Sequence, residues 1–172
     1  VTAGGTREPL DLVRSLTNRS SGKMGFAIAA EAACRGAEVV LVSGPVSLPT
    51  PSGVRRIDIE SAEEMRSAVL RELARSTVVV KAAAVADFRP VAPSKRKIKK
   101  ETLAEGEGWT LELERTPDIL AEISREKGDR VVVGFAAETG DLIENAQAKL
   151  SKKNLNLIVA NQVGVLDSGF GS

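Results

Sequence analysis

The chain has 172 residues, a formal charge of +1, 42% hydrophobic and 27% charged residues, as in one soluble α/β domain large enough to bury its own core. It contains no His and no Tyr, which excludes imidazole catalysis, His-ligated metals and Tyr–Lys hydride-transfer dyads, and leaves Lys, Arg, Asp, Glu, Asn and backbone amides, a set suited to phosphates and oxyanions. No apolar run reaches the roughly 20 residues of a membrane span and no signal-type layout opens the chain, so a cytoplasmic protein without a membrane partner is expected.

In chain order, Val1 stands inside a strand pattern, VTAG, followed by an irregular segment over 4–21. NRSSGKMGFAIAAEAACRG predicts a helix over 22–35, capped by Ser20 and Ser21, with Gly22 and Gly25 in its first turn and amides left to meet an anion. It is neither G-x-x-x-x-G-K-[ST] nor G-x-G-x-x-G. Asn18, just ahead of it, reads as a turn residue that offers both a donor and an acceptor. Cys34, the only cysteine, falls within this helix as a packing residue and excludes an internal disulfide framework.

AEVVLVSG from 37 and VRRIDI from 54 are the next strands, and Ser61 with Glu64 forms a capping box for a helix over 62–75. TVVVKAAAV from 77 is a strand whose end carries small residues and then Asp87; small side chains there admit a flat ring or a ribose, and equally admit a packed helix. Thr116 and Pro117 predict the cap and first turn of a helix over 117–126. VVVGFAAE from 131, a helix over 142–153 and LNLIVAN from 155 complete the pattern; Phe135 suits base stacking and core packing alike. Near-continuous apolar strands alternating with helices predict an α/β fold, a doubly wound, mostly parallel sheet with helices on both faces, Rossmann-like and three-layered. Such sheets bind ligands beyond the carboxyl ends of their strands. DSGFGS closes the chain with no terminal element, so residues 1–172 read as one domain whose C-terminal part is missing.

The charge is unevenly spread. Lys95, Arg96, Lys97, Lys99 and Lys100 crowd one loop flanked by Pro90 and Pro93, too polar to pack and too uniformly charged to be comfortable without an anion. A mobile basic flap over 89–108 is expected. Lys149, Lys152 and Lys153 form a second cationic cluster on or just past a helix, and two such clusters converging on a strand-end cleft suit a polyphosphate.

TAGGTREPLDLVRSLTNRSSGKMGFAIA, VSGPVSLPTP, KAAAVADFRP, KIKK, TPDIL, GFAAET and KKNLNLIVAN, in that order, closely resemble bacterial phosphopantothenoylcysteine synthetases, commonly fused behind a flavin-dependent decarboxylase. The resemblance covers essentially the whole chain. It implies CTP-dependent joining of 4′-phosphopantothenate to L-cysteine through an acyl-cytidylate, in a Mg²⁺-requiring homodimer active in coenzyme A biosynthesis. Carried over by position, Asn18 matches the asparagine that holds the acyl group, and Lys97 the lysine that engages the triphosphate. Lys81, Ala82, Ala83, Asp87, Pro117, Asp118, Ile119, Leu120, Phe135, Lys149 and Lys153 match nucleotide-binding positions, and Arg14 and Ala84 the acyl phosphate side. The metal ligands are unassigned: Asp87 is the candidate beside the triphosphate oxygens. Lys81 departs from the family, which prefers small residues there, and the decarboxylase half and the C-terminal strands are absent.

The alternative is an NAD(P)-dependent Rossmann oxidoreductase, opposed by the missing G-x-G-x-x-G and by Ser43 and Gly44 where an acid would follow the second strand. Near-neutral charge and few aromatics oppose nucleic-acid binding.

Overall fold

A computed structural model describes residues 1–99 and 108–163. Six strands form one sheet: β1 (Thr2–Ala3), β4 (Val39–Ser43), β5 (Val54–Asp58), β6 (Val78–Lys81), β9 (Val131–Glu138) and β10 (Leu157–Gln162). They are the six apolar runs read as strands above. Their spatial order is β10-β9-β6-β1-β4-β5, and every pairing is parallel. Counted in chain order this is the doubly wound 3-2-1-4-5-6 arrangement, whose direction reverses between β1 and β6. The expected fold class is therefore the observed one.

Side chains that alternate along the strands feed two cores. Val39 and Leu41 of β4 face α1 (Lys23–Cys34), packing with Ala3, Phe26 and Ala29. Val42, on the other face, joins Met65, Ala68, Val69 and Leu73 of α2 (Ala62–Leu73) and Ile119, Leu120 and Ile123 of α3 (Ile119–Arg125). Leu150 of α4 (Leu142–Lys152) packs against that second core.

Two antiparallel hairpins interrupt segments expected to be irregular: β2 (Arg7–Pro9) with β3 (Ser15–Thr17), and β7 (Phe88–Pro90) with β8 (Leu113–Arg115). Each strand has three residues and one strand of each pair contains a proline, too short for periodicity to register. The first hairpin is welded to the domain by Glu8, 2% exposed, whose Oε1 accepts the Ala62 N–H at the start of α2 at 2.8 Å.

Helix starts differ in detail from expectation. Ser61 caps α2 as anticipated, accepting the Glu64 N–H at 3.2 Å, and the Glu64 carboxylate reaches back to the Glu60 N–H at 2.7 Å. The cap of α3, however, is Asp118 rather than Thr116: Asp118 Oδ1 accepts the Ala121 N–H, while Thr116 Oγ1 donates to the Ala86 carbonyl. Pro117 consequently precedes the cap. The cap of α1 is Gly22, not Ser20 or Ser21, because the chain enters with a left-handed φ of 76° that favours glycine.

Gly25 lets α1 approach the first strand. A Cβ there would sit 2.5 Å from Ala3 Cβ and 2.8 Å from the Thr2 carbonyl oxygen, a backbone obstruction that cannot swing away. Gly25→Ala is expected to destabilise the domain by about 1–3 kcal/mol, read as a lower urea midpoint; an unchanged midpoint would show that α1 can retreat freely.

Candidate functional site

A cleft of about 980 Å³ opens beyond the carboxyl ends of β6, β9 and β10, on the side of the sheet where doubly wound folds place ligands. One wall is the segment Asn18–Gly25, leading into the N-terminus of α1. The floor is the run Lys81–Val85 leaving β6, with Phe135–Ala137 of β9 and Asn161 of β10. The opposite wall combines Thr116 to Leu120 with Lys149 and Lys153.

The floor is held in register by threonines of the first strand and its extension. Thr2 Oγ1 accepts the Ala83 N–H at 3.1 Å and Thr6 Oγ1 the Ala86 N–H at 2.9 Å, both threonines being buried. The Ala84 N–H donates to the Gly4 carbonyl at 2.8 Å. Asn18, exposed at the mouth, donates from Nδ2 to the Val85 carbonyl at 2.9 Å, which orients its amide across the opening.

The electrostatics come from lysines on separate elements. Lys149 and Lys153, four residues apart, share one face at the end of α4. The Lys149 ammonium donates to the Phe135 carbonyl at 2.7 Å, and Lys153 pairs with Asp118 Oδ2. Partial burial favours the neutral acid at Asp118, yet the Lys153 ammonium and the Ala121 N–H outweigh it and hold this carboxyl below its usual range. Lys81, partly buried at the end of β6, is pushed down to about 8, first by burial and then by the facing Lys149 ammonium; Lys153 acts the same way, whereas Asp118 and Asp87 oppose. The floor thus carries an ammonium whose charge is disfavoured as the cleft stands. An incoming anion relieves that strain.

Among the expected site residues, Asn18, Lys81, Ala82, Ala83, Ala84, Asp87, Pro117, Asp118, Ile119, Leu120, Phe135, Lys149 and Lys153 line this single cleft. Arg14 and Lys97 are not among its lining residues. Arg14 instead pairs with Asp11 at 2.6 Å and lies over the Trp109 ring at 5.1 Å, and Lys97 is exposed beside Ile98. Lys152 faces solvent, and Lys100 lies outside the described residues. Arg115, Phe88 and Asn161 also line the cleft without having been singled out; Arg115 and Phe88 belong to the short hairpin, and Asn161 was legible only as the polar end of an apolar strand.

The donor set bears on a divalent cation. Among the described residues no three His, Cys, Asp or Glu side chains gather into a metal cage, and Asp118 is engaged by Lys153. Asp87 is left as a single exposed carboxylate at the cleft, which fits Mg²⁺ bound through one carboxylate and substrate phosphates rather than by a protein cage.

The lowered pKa of Lys81 sets a stability window. An unfolded lysine titrates near 10.4, so between about pH 8 and that value the unfolded chain binds more protons and folding stability gains from rising pH. Below about pH 8 both states are protonated and the burial penalty stands in full. Lys81→Met is expected to remove this rise, seen by comparing urea midpoints at about pH 8 and about pH 10; a variant retaining the full wild-type slope would contradict the assignment.

The chain is similar to known proteins over its whole length. The chain spans 43% of the Vibrio cholerae coenzyme A biosynthesis bifunctional protein CoaBC, to which it is 50% identical over 173 aligned positions covering all of the chain. It is 51% identical to the Escherichia coli K12 CoaBC protein, again over its whole length and 42% of the relative. The crystal structure of the C-terminal domain of a CoaBC protein superposes with a TM-score of 0.80 at 45% identity, covering 94% of this chain and 74% of that one. A Cab2 mutant in complex with phosphopantothenate-cysteine shares the fold, at TM-score 0.79 and 18% identity over 94% of this chain and 71% of that one. All of residues 1–172 match one family profile, and the chain belongs to the DNA/pantothenate metabolism flavoprotein C-terminal domain family.

Proposed function

We propose that this domain joins 4′-phosphopantothenate to L-cysteine at the expense of CTP, through an acyl-cytidylate, as a step of coenzyme A biosynthesis. The observation that carries the reading is the convergence of Lys81, Lys149, Lys153, Asn18 and the α1 N-terminus on one strand-end cleft. The match to coenzyme A biosynthesis bifunctional proteins, 43% of whose length the chain spans, and the phosphopantothenate-cysteine bound to the distantly similar Cab2 structure support phosphopantothenate and cysteine as the groups joined. In the full protein the domain follows a flavin-dependent decarboxylase and works as a cytoplasmic homodimer.

In the first half-reaction a carboxylate oxygen of phosphopantothenate attacks the α-phosphorus of CTP, the bond between the α-phosphorus and the bridging oxygen breaks, and pyrophosphate leaves. The nucleophile is already an anion at neutral pH, so no general base is needed and the absence of histidine is no handicap. The barrier is charge repulsion. Lys149, Lys153 and Lys97 offset it; Asp87 with the substrate phosphates would hold Mg²⁺, which would supply further neutralisation of the leaving pyrophosphate. Phe135 and the small residues Ala82 and Ala83 leave room for a flat base against the floor.

In the second half-reaction the cysteine amine attacks the acyl carbon, loses a proton and expels CMP. Negative charge gathers on the acyl oxygen, and the Asn18 amide, oriented by the Val85 carbonyl, is the donor that meets it. Removing one such donor typically lowers a rate by about 10²–10³-fold.

Lys97→Gln is expected to suppress pyrophosphate release from CTP and phosphopantothenate; near-normal release would reject its triphosphate role. Asn18→Asp is expected to spare activation and slow cysteine addition, so that acyl-cytidylate accumulates on quenching; equal loss in both halves would reject the division of labour. Calorimetric titration with Mg²⁺ present is expected to show tighter binding of CTP than of ATP, and the reverse order would contradict the nucleotide assignment.

A further inference from the structure

The basic loop is anchored to the turn between β2 and β3 by contacts that single out one residue. The turn closes on itself through Leu10 and Asp11 N–H groups donating to the Arg14 carbonyl. Asp11, 4% exposed, accepts the Val13 and Arg14 N–H groups on Oδ1, each at 2.8 Å. Its other oxygen, Oδ2, accepts from Arg14 Nη2 at 2.6 Å and Nε at 3.1 Å, and also from the Ile98 N–H at 3.0 Å. Arg14 Nη2 in turn donates to the Ile98 carbonyl at 2.6 Å. Both polar backbone atoms of Ile98 are therefore gripped by one ion pair, 84 and 87 residues away in sequence. The Ser94 N–H adds a third attachment, to the Leu10 carbonyl at 2.9 Å. Arg14 also covers the Trp109 ring, beyond the far end of the basic run.

We infer that Asp11 is a positioning residue for the activation step: with Arg14 it clamps the backbone on both sides of Ile98 and so fixes where the neighbouring Lys97 presents its ammonium. The inference rests on the triphosphate role proposed above for Lys97. An extended polybasic segment has every electrostatic reason to disperse. A buried carboxylate holding the Ile98 N–H while its partner guanidinium holds the Ile98 carbonyl overrides that tendency at a single residue, and hydrogen bonds to both of its flanking peptide groups set orientation as well as distance. Arg14 and the Ile98 N–H hold the Asp11 carboxyl well below the usual carboxylate range, burial opposing them, so the clamp stays charged throughout the working range of pH. Lys97 itself need make no contact with Asp11. The clamp acts through the backbone one residue away.

The experiment compares Asp11→Asn, Lys97→Gln and the double variant in the full-length protein, by pyrophosphate release and by cysteine addition to preformed acyl-cytidylate. The expected result is a tenfold or greater fall in kcat for release in Asp11→Asn, KM for phosphopantothenate within twofold of wild type, unchanged cysteine addition, and a double variant no slower than Lys97→Gln. Ile98→Pro, which removes the clamped N–H and leaves the Asp11–Arg14 pair in place, is expected to give the same pattern and serves where Asp11→Asn does not fold. Additive losses in the double variant, equal losses in both half-reactions, or normal release in a folded Asp11→Asn or Ile98→Pro variant would overturn the clamp while leaving the Lys97 reading intact. Normal release in Lys97→Gln alone would instead overturn the reading on which the clamp depends.

Discussion

Among the ammonium groups that line the cleft, three are held there each by a different device. Lys149 is tied to the Phe135 carbonyl, Lys153 to the Asp118 carboxylate, and Lys81 is carried into the floor by β6 itself. Like charges separate when they can, so their assembly is work done by the fold: α4 must end where β9 ends, and α3 must begin with an acid at its cap. The low proton affinity of Lys81 reflects its burial first and this crowding of like charge second. Among the described residues lining the cleft, cationic side chains outnumber the two carboxylates, Asp87 and Asp118, and the polyphosphate proposed above would supply the balancing charge in compact form.

The sheet makes this arrangement possible. Reversal of direction between β1 and β6 opens a gap above the strand ends, and residues from β6, β9 and β10 reach it without leaving regular structure. Thr2 and Thr6 hold the chain beyond β6 by its amides, so a row of alanines, with no polar side chain of its own, becomes a rigid floor. Asn18 is aimed by the same chain, through Val85. Lys81 and the Asn18 amide are thus referenced to one stretch of backbone.

Much of this was legible in the amino-acid order. All six sheet strands are legible as strand-length runs, near-continuously apolar except for the charged VRRIDI at the sheet edge, because a parallel sheet is covered on both faces; the four helices are legible as well, although only the cap at Ser61 is the one expected. The residues carried over from family resemblance fall almost entirely around one cleft, with Arg14 and Lys97 as the exceptions. What escaped was short or non-local. Neither hairpin has strands long enough to show a period. The cap of α3 moved from Thr116 to Asp118 because Thr116 is drawn off by the Ala86 carbonyl, 30 residues earlier. Asp11 carries no signal of its own in the sequence, because only the fold brings Ile98 to it. Lys81 departs from the family pattern, and its ammonium feels two other lysines, Lys149 and Lys153.

The account turns on where a nucleotide triphosphate sits relative to those lysines. A crystal structure of the protein with CTP and Mg²⁺ tests it most directly. The account predicts phosphate oxygens within hydrogen-bond distance of the Lys149 and Lys153 ammonium groups, the base against Phe135 and the alanine floor, and Lys97 turned toward the phosphates from its seat beside Ile98. Nucleotide bound elsewhere, or bound in the cleft with those three lysines directed into bulk solvent, would contradict it.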